Sequence, residues 1–206
     1  MATTTQQSPF TFPREYYFPP FFTRQTNLTT HHAQLIKWSS LVLSYCRHYR
    51  IFKLSLSDES IPTTNPSFAP AATDTGADST PRPGAGELFF NRKINRRLSL
   101  ADIRELIEFM RKDGRAEYVG GVPGDLVWIY WRTPEEWAAL LEAWVDETAQ
   151  KGTVLTLYEL VEGEGTRGTE FHGLDPELLQ KALAVLVKRG KAQVFGQEDS
   201  QGVKFF

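Results

Sequence analysis

An α+β fold built from two tandem domains is predicted by three observations in this 206-residue chain. Helical and strand-like hydrophobic periodicities follow one another in a fixed order, that order runs through twice, and each closing helix stops at a glycine, Gly114 and Gly190, with a strand directly after it. With 41% hydrophobic and 13% aromatic residues the chain can bury one or two small cores, which excludes disorder throughout.

The first half opens on a helix over residues 29–50, where Leu35, Trp38, Val42, Tyr45, Cys46 and Tyr49 recur at three- and four-residue steps and so share one face. Residues 51–56 alternate Ile51, Lys53 and Ser55 with Phe52, Leu54 and Leu56, the period of a strand. Residues 60–86 are dominated by Pro, Thr, Ser, Ala and Gly and carry too little apolar surface to offset their ordering entropy. They read as a disordered insertion, and an insertion need not separate domains, because loop-closure entropy grows only logarithmically with length. Residues 88–97 are assigned to a short helix. Ser99 with Asp102 then forms a capping-box signature ahead of Leu100, Ile103, Leu106, Ile107 and Met110, and Gly114 closes that helix. Strands follow over 116–119 and 126–131, joined by the turn Gly120-Gly121-Val122-Pro123-Gly124.

The second half repeats the series. Thr133-Pro134-Glu135-Glu136 supplies an N-cap, a first-turn proline and an acidic first turn before the stripe Trp137, Leu140, Leu141, Trp144 and Val145. Residues 154–161 read as a strand. Asp175-Pro176-Glu177 opens a helix with Leu179, Ala182, Leu183, Leu186 and Val187 on one face, and strands over 192–195 and 203–206 flank a polar turn. This is the layout of two tandem winged-helix domains, each a three-helix helix-turn-helix core with a small antiparallel hairpin. The middle helix is clear in neither half; in the second, only 163–173 is available for it. The predicted organisation is an N-terminal arm over 1–27, a first domain over 28–132 and a second over 133–206.

The arm carries the most unusual local chemistry. Pro19-Pro20-Phe21-Phe22 stands among Phe10, Phe12, Tyr16, Tyr17 and Phe18, an apolar cluster that nothing nearby in sequence can bury. Prolines pre-set the backbone near polyproline II, so adjacent rings can be held toward a partner's groove with little entropy left to lose on docking. The alternative is that the rings fold back onto the chain's own first domain.

A net charge of −2 and a pI near 6.1 give no global basic field for nucleic acid or an anionic membrane. The helix from Ser99 to Asp113 mixes Asp102, Glu105, Glu108 and Asp113 with Arg104, Arg111 and Lys112, unlike a phosphate-tracking recognition helix. Arg92, Lys93, Arg96 and Arg97 are the one basic cluster; it keeps a winged-helix DNA-binding transcription regulator as the alternative function, against a plain solvated helix face. The single cysteine, Cys46, on an apolar stripe, excludes a disulfide scaffold and reads as a buried reduced thiol. The first nine residues lack a signal-peptide pattern and no run approaches the ~20 apolar residues of a membrane span, so the expected setting is cytoplasmic. Asn27-Leu28-Thr29 is then a glycosylation motif without consequence.

No catalytic or cofactor site stands out. Gly163-Glu164-Gly165-Thr166-Arg167-Gly168 spells a dinucleotide fingerprint, but no parallel-strand unit follows and Glu162 and Glu164 would repel phosphate, so it reads as a loop. His31 and His32 are adjacent on a helix and point apart, poor partners for one metal, and His172 has no nucleophile placed beside it. The expectation is no enzyme, no metal and no cofactor.

Several ordered motifs together resemble one family, the small winged-helix subunit of the endosomal sorting complex ESCRT-II, of the vacuolar protein-sorting group. They are Phe18-Pro19-Pro20-Phe21-Phe22-Thr23, Trp38-Ser39-Ser40-Leu41-Val42-Leu43-Ser44, Pro134-Glu135-Glu136-Trp137, Thr156-Leu157-Tyr158-Glu159-Leu160, Glu170-Phe171-His172-Gly173-Leu174 and Gly202-Val203-Lys204-Phe205-Phe206. The resemblance implies a non-enzymatic adaptor for multivesicular-body sorting of ubiquitinated cargo, present in two copies beside two larger winged-helix subunits and recruited peripherally to endosomal membranes. It makes Pro19, Pro20 and Phe22 the anchors in those subunits, with Phe21 variable and Tyr16, Tyr17 and Phe18 as neighbours. It also implies that the second domain recruits and activates an ESCRT-III subunit through that subunit's N-terminal helix. The long insertion departs from the family pattern. For the ESCRT-III surface, charge points to Glu159, Glu162, Glu164 and Glu170 as an acidic rim for a basic amphipathic helix, against an ordinary solvated loop.

Overall fold

The computed structural model describes residues 8–56, 85–196 and 201–206; the expected insertion at 60–86 lies outside them except for its last two residues. The chain packs as two units, Met1–Trp131 and Arg132–Phe206.

In the first unit, helix α1 (Leu28–Tyr49) starts where the Asn27 side chain accepts the Thr30 amide, the cap that makes this residue structural. It ends at Arg50, which adopts φ 54°, and the Ile51 amide donates back to the Cys46 carbonyl at 2.8 Å. Strand β1 (Lys53–Ser55), the one-turn helix α2 (Ala85–Leu88), the hairpin β2 (Phe90–Asn91) and β3 (Arg96–Arg97), helix α3 (Leu100–Lys112), β4 (Ala116–Tyr118) and β5 (Leu126–Ile129) follow. Strand β5 lies between β1 and β4, antiparallel to both, with Leu54 opposite Val127 and Ala116 opposite Ile129. Trp38, Val42, Tyr45 and Cys46 from α1, Leu106, Ile107 and Met110 from α3, and Val127 and Ile129 from β5 close the core. Each such side chain contributes about 1.5–3 kcal/mol by burial. Burial also pushes the Cys46 thiol well above its ordinary range, as expected of an inert core cysteine.

Residues 88–97 form the β2–β3 hairpin and not the expected helix. The Asn91 carboxamide oxygen accepts the Lys93 amide at 2.9 Å, an Asx turn that reverses the chain, and Asn95 takes φ 50° at the tip. Leu88, Phe89 and Leu98 are then buried from both arms of the reversal, which a single helical face would not achieve.

The second unit holds α4 (Pro134–Glu147), β6 (Val154–Thr156), α5 (Leu157–Glu162), α6 (Pro176–Lys188), β7 (Ala192–Phe195) and β8 (Gly202–Phe205). Its strand order, β6-β8-β7, matches the first unit's: the opening strand pairs with the last, which lies in the centre. The strand expected over 154–161 stops at Thr156. There the Thr156 hydroxyl oxygen accepts from the Glu159 amide and the Glu159 carboxylate accepts from the Thr156 amide, a full capping box that turns the chain into α5 and buries Leu160 and Val161. This is the missing middle helix, and its N-cap signature lies within the sequence Thr156-Leu157-Tyr158-Glu159. Gly163 follows because a Cβ there would come within 2.3 Å of the Glu159 carbonyl oxygen. Each unit is therefore a three-helix core with an antiparallel sheet, the winged-helix arrangement. Trp38 and Trp137, each on the apolar stripe of its helix, are buried in the core of their units, and Trp144 meets Phe171 edge-on at 5.7 Å. Among the described residues no helix is long and apolar enough to cross a membrane.

Candidate functional site

The N-terminal arm is two consecutive 3-10 turns, Arg14–Tyr17 and Pro19–Phe22, and not the extended polyproline II segment expected. Proline's φ near −65° suits the 3-10 turn as well as polyproline II, and here the turn is selected by tertiary contacts. Phe18 precedes Pro19, which excludes it from the helical region; it sits at φ −102°, ψ 113° and breaks the two turns apart.

The expectation that the whole PPFF segment projects as a plug needs correction. Phe21, Phe22 and Tyr16 are buried within their own unit at 6%, 5% and 3% exposure, whereas Tyr17 and Phe18 are 41% and 60% exposed and both prolines face solvent. The reason is Trp38. Phe21 stacks on its indole at 4.5 Å and 7°, Phe22 meets it edge-on at 5.3 Å, and Tyr16 packs against Phe22 on one side and stacks on Phe12 on the other. Backbone contacts complete the attachment. The Trp38 Nε1–H donates to the Phe21 carbonyl at 2.9 Å, Gln34 Nε2 donates to Phe21 and Thr23 carbonyls at 2.8 and 2.9 Å, and Asn91 Nδ2 donates to the Tyr16 carbonyl at 2.6 Å. Tyr16 Oη donates to the Glu87 carbonyl, and burial raises its phenol above the ordinary range.

A charged clasp stands where the arm enters α1. Arg24 grips Glu105 of α3 with Nε and Nη2 at 3.0 and 3.1 Å, and His31 Nε2 lies 3.0 Å from the same carboxylate. Hydrogen bonds from Arg24 first and His31 second lower the Glu105 carboxyl to about 2 from an ordinary 4.5. A depressed carboxyl stabilises the folded state above its unfolded pKa and loses that contribution as pH falls through the folded value, so the window runs from about pH 4.5 down to 2. With the carboxylate side chain 38% exposed, solvent screening holds its worth to about 1 kcal/mol. Glu105→Gln should lower stability by about that amount at pH 7 and flatten acid unfolding below pH 4.5, read by urea titrations at several pH values.

The basic cluster Arg92, Lys93, Arg96 and Arg97 lies exposed on the β2–β3 hairpin, with Lys93 over the Tyr17 ring at 5.3 Å and Arg97 over Phe90 at 5.0 Å. On α3, the helix a DNA reader would present, Arg104 and Arg111 are already paired with Asp125 and Glu108. Among the described residues no group of His, Cys, Asp or Glu could hold a metal. The glycine-rich stretch at 163–168 forms a short 3-10 turn, Glu164–Thr166, and no helix opens from it. His172 Nδ1 lies 3.1 Å from the Thr166 hydroxyl, a local structural bond.

In the second unit the four glutamates do not form one uniform rim. Glu159 is engaged in the α5 capping box, and the Thr156 amide lowers its carboxyl. Glu164 pairs with Arg167 at 2.8 Å, Glu170 pairs with Arg132, and Glu162 faces solvent. On the same helix Tyr158, one turn before Glu162, is 71% exposed.

A family model described as ESCRT-II complex subunit matches residues 15–175, from the arm to the residue that caps α6. The chain belongs to the ESCRT-II complex subunit family. It is 38% identical to vacuolar protein-sorting-associated protein 25 of Xenopus laevis over 197 residues, 96% of this chain and 99% of that one. The Homo sapiens protein of the same description is also 38% identical, covering 96% and 98%. Its fold matches the crystal structure of subunit VPS25 of the endosomal trafficking complex ESCRT-II with a TM-score of 0.73 and 26% identity, over 94% of this chain and 98% of that one. A chain in the crystal structure of endosomal complex ESCRT-II (VPS22/VPS25/VPS36) matches at 0.72 and 28%, with the same coverage.

For this ESCRT-II family member, sequence reasoning singled out the arm but missed what holds it. Gln34 is a polar residue on an otherwise ordinary helix and carries no local signal. Asn91 was hidden by the helical assignment of 88–97. Trp38 is core, and its place on the apolar face of α1 gives no sign that the arm completes its packing. Tyr158 could have been found from the Thr156/Glu159 capping box.

Proposed function

We propose that this chain is a non-enzymatic adaptor of ESCRT-II: its arm and first domain bind the larger winged-helix subunits, and its second domain recruits and activates an ESCRT-III subunit. The observation that carries the reading is the near full-length similarity to solved chains described as belonging to ESCRT-II, one of them in a complex described as VPS22/VPS25/VPS36, together with an exposed aromatic and proline face at the family's characteristic motif. Two copies of the chain would each place that face, Tyr17, Phe18, Pro19 and Pro20, against one larger subunit. Phe21 and Phe22 act from behind it, as the anchors that hold the motif to α1.

The second domain would offer Glu162, with Glu159, Glu164 and Glu170 around it, to a basic amphipathic helix at the N-terminus of the ESCRT-III subunit. Tyr158 supplies the apolar contact such a helix needs. Arg167 and Arg132 offset part of the acidic charge, so Glu162 carries the largest share. Sorting of ubiquitinated cargo into multivesicular bodies then follows from the assembly, with the chain recruited peripherally to endosomal membranes through its partners.

The test is co-expression with the two larger subunits. Phe18→Ser combined with Pro20→Ala should weaken their association about 30- to 1000-fold, the 2–4 kcal/mol of exposed anchor residues, while the melting temperature of the free chain stays unchanged. Unaltered association would overturn the assignment of this face, and nanomolar duplex DNA binding with a steep salt slope would overturn the adaptor reading itself.

A further inference from the structure

The exposed face of the arm differs from a linear peptide motif because its backbone is already engaged. Amides of Tyr16, Phe18, Phe21 and Thr23 donate to the carbonyls of Pro13, Glu15, Phe18 and Pro20, and Pro19 and Pro20 have no N–H to offer. The carbonyls of Tyr16, Phe21 and Thr23 accept from Asn91, Trp38 and Gln34. A partner that added the segment as a β-strand would need those groups free. What remains for recognition is a row of side chains.

We propose that Tyr17, Phe18, Pro19 and Pro20 form a rigid side-chain ridge, locked before any encounter by Gln34 and Asn91, so that the partner reads those side chains without backbone pairing. This rests on the reading above that a larger subunit takes this segment.

The argument turns on where the locking groups sit. Gln34 is buried on α1 and its Nε2 bridges the Phe21 and Thr23 carbonyls, closing the C-terminal end of the second turn. Asn91 is buried at the opposite end. Its Nδ2 holds the Tyr16 carbonyl while its Oδ1 accepts the Lys93 amide, so the amide orientation is determined by both partners. The ridge lies between these two attachments. Gln34 and Asn91 are themselves buried, and Gln34 reaches the ridge only through the Pro20 carbonyl at 3.4 Å, so both are positioning residues, and their loss acts by lowering the fraction of chains whose ridge is formed. Apparent affinity scales with that fraction: a ridge populated at about one part in ten to one in a hundred binds ~10- to 100-fold more weakly.

The experiment is amide hydrogen exchange on the free full-length chain, paired with titration against the co-purified larger subunits. In the unmodified chain the Tyr16, Phe18, Phe21 and Thr23 amides should exchange slowly, and more slowly by only a small factor when bound. Gln34→Leu combined with Asn91→Leu should bring those four amides toward unprotected rates, leave the protection of α1 and α3 in place and weaken binding ~10- to 100-fold. Unprotected rates in the free unmodified chain would overturn the proposal. So would a double variant whose four amides stay protected, or one that exposes them yet binds as tightly as the unmodified chain. Phe18→Ser with Pro20→Ala, which keeps the amides protected, separates the two claims: if that variant alone binds normally, the partner reading falls and takes the ridge with it.

Discussion

Phe22→Ala is expected to destabilise the first unit by about 3–5 kcal/mol and, in the same step, to reduce the proposed assembly with the larger subunits. The ring is only 5% exposed, lies edge-on to Trp38 at 5.3 Å and supports Tyr16 at 5.3 Å, so truncation leaves a cavity that three aromatic neighbours cannot fill without moving. Trp38 itself is 1% exposed, and its stacking partner Phe21 is tied to α1 through the carbonyl that accepts from both Trp38 and Gln34. Loosening one ring therefore loosens the arm. Urea unfolding followed by tryptophan fluorescence measures the stability loss, and co-purification measures the assembly loss. Were the ring a partner contact alone, assembly would drop with no change in the unfolding midpoint, and that outcome would contradict its placement on Trp38.

Phe171→Ala is expected to cost about 3–5 kcal/mol in the second unit. Phe171 is 2% exposed and packs edge-on against Trp144 of α4, while the Leu174 amide turns back to its carbonyl at 3.1 Å just before α6 begins. The residue thus couples the segment after α5 to the helix that opens the unit. Hydrogen exchange should show α4 and α6 losing protection together, with α1 and α3 unaffected; equal loss in both units would mean that they unfold as one cooperative block. For the proposed ESCRT-III recruitment, loss by this variant would report unfolding, whereas loss by Glu162→Lys with unchanged protection would report the surface.

Much of the architecture was legible from residue spacing. The stripes of α1, α3, α4 and α6 and the closing glycines Gly114 and Gly190, at φ 69° and 70°, are local signals, and each helix formed where they stand. The two errors have a common cause. Residues 88–97 and 157–162 are short, and in elements of one or two turns the periodicity of a helix, a strand and a turn cannot be told apart; capping and Asx contacts decide instead. The Thr156/Glu159 box was present in the text of the chain, but the alternating run beginning at Val154 hid it.

The same division holds for the functional face. Repeated element order marks tandem winged-helix domains, and proline and aromatic placement marks the leader, because these are properties of neighbouring residues; membership of the ESCRT-II family is carried by the resemblance of its ordered motifs and by the family match. Which rings of that leader face outward was decided only in three dimensions. An indole on α1 took Phe21 and Phe22 as packing partners, and Gln34 and Asn91, distant in sequence from the leader, satisfied its carbonyls. Burial depends on the surface that the rest of the fold offers, and no local pattern in residues 8–24 encodes that surface.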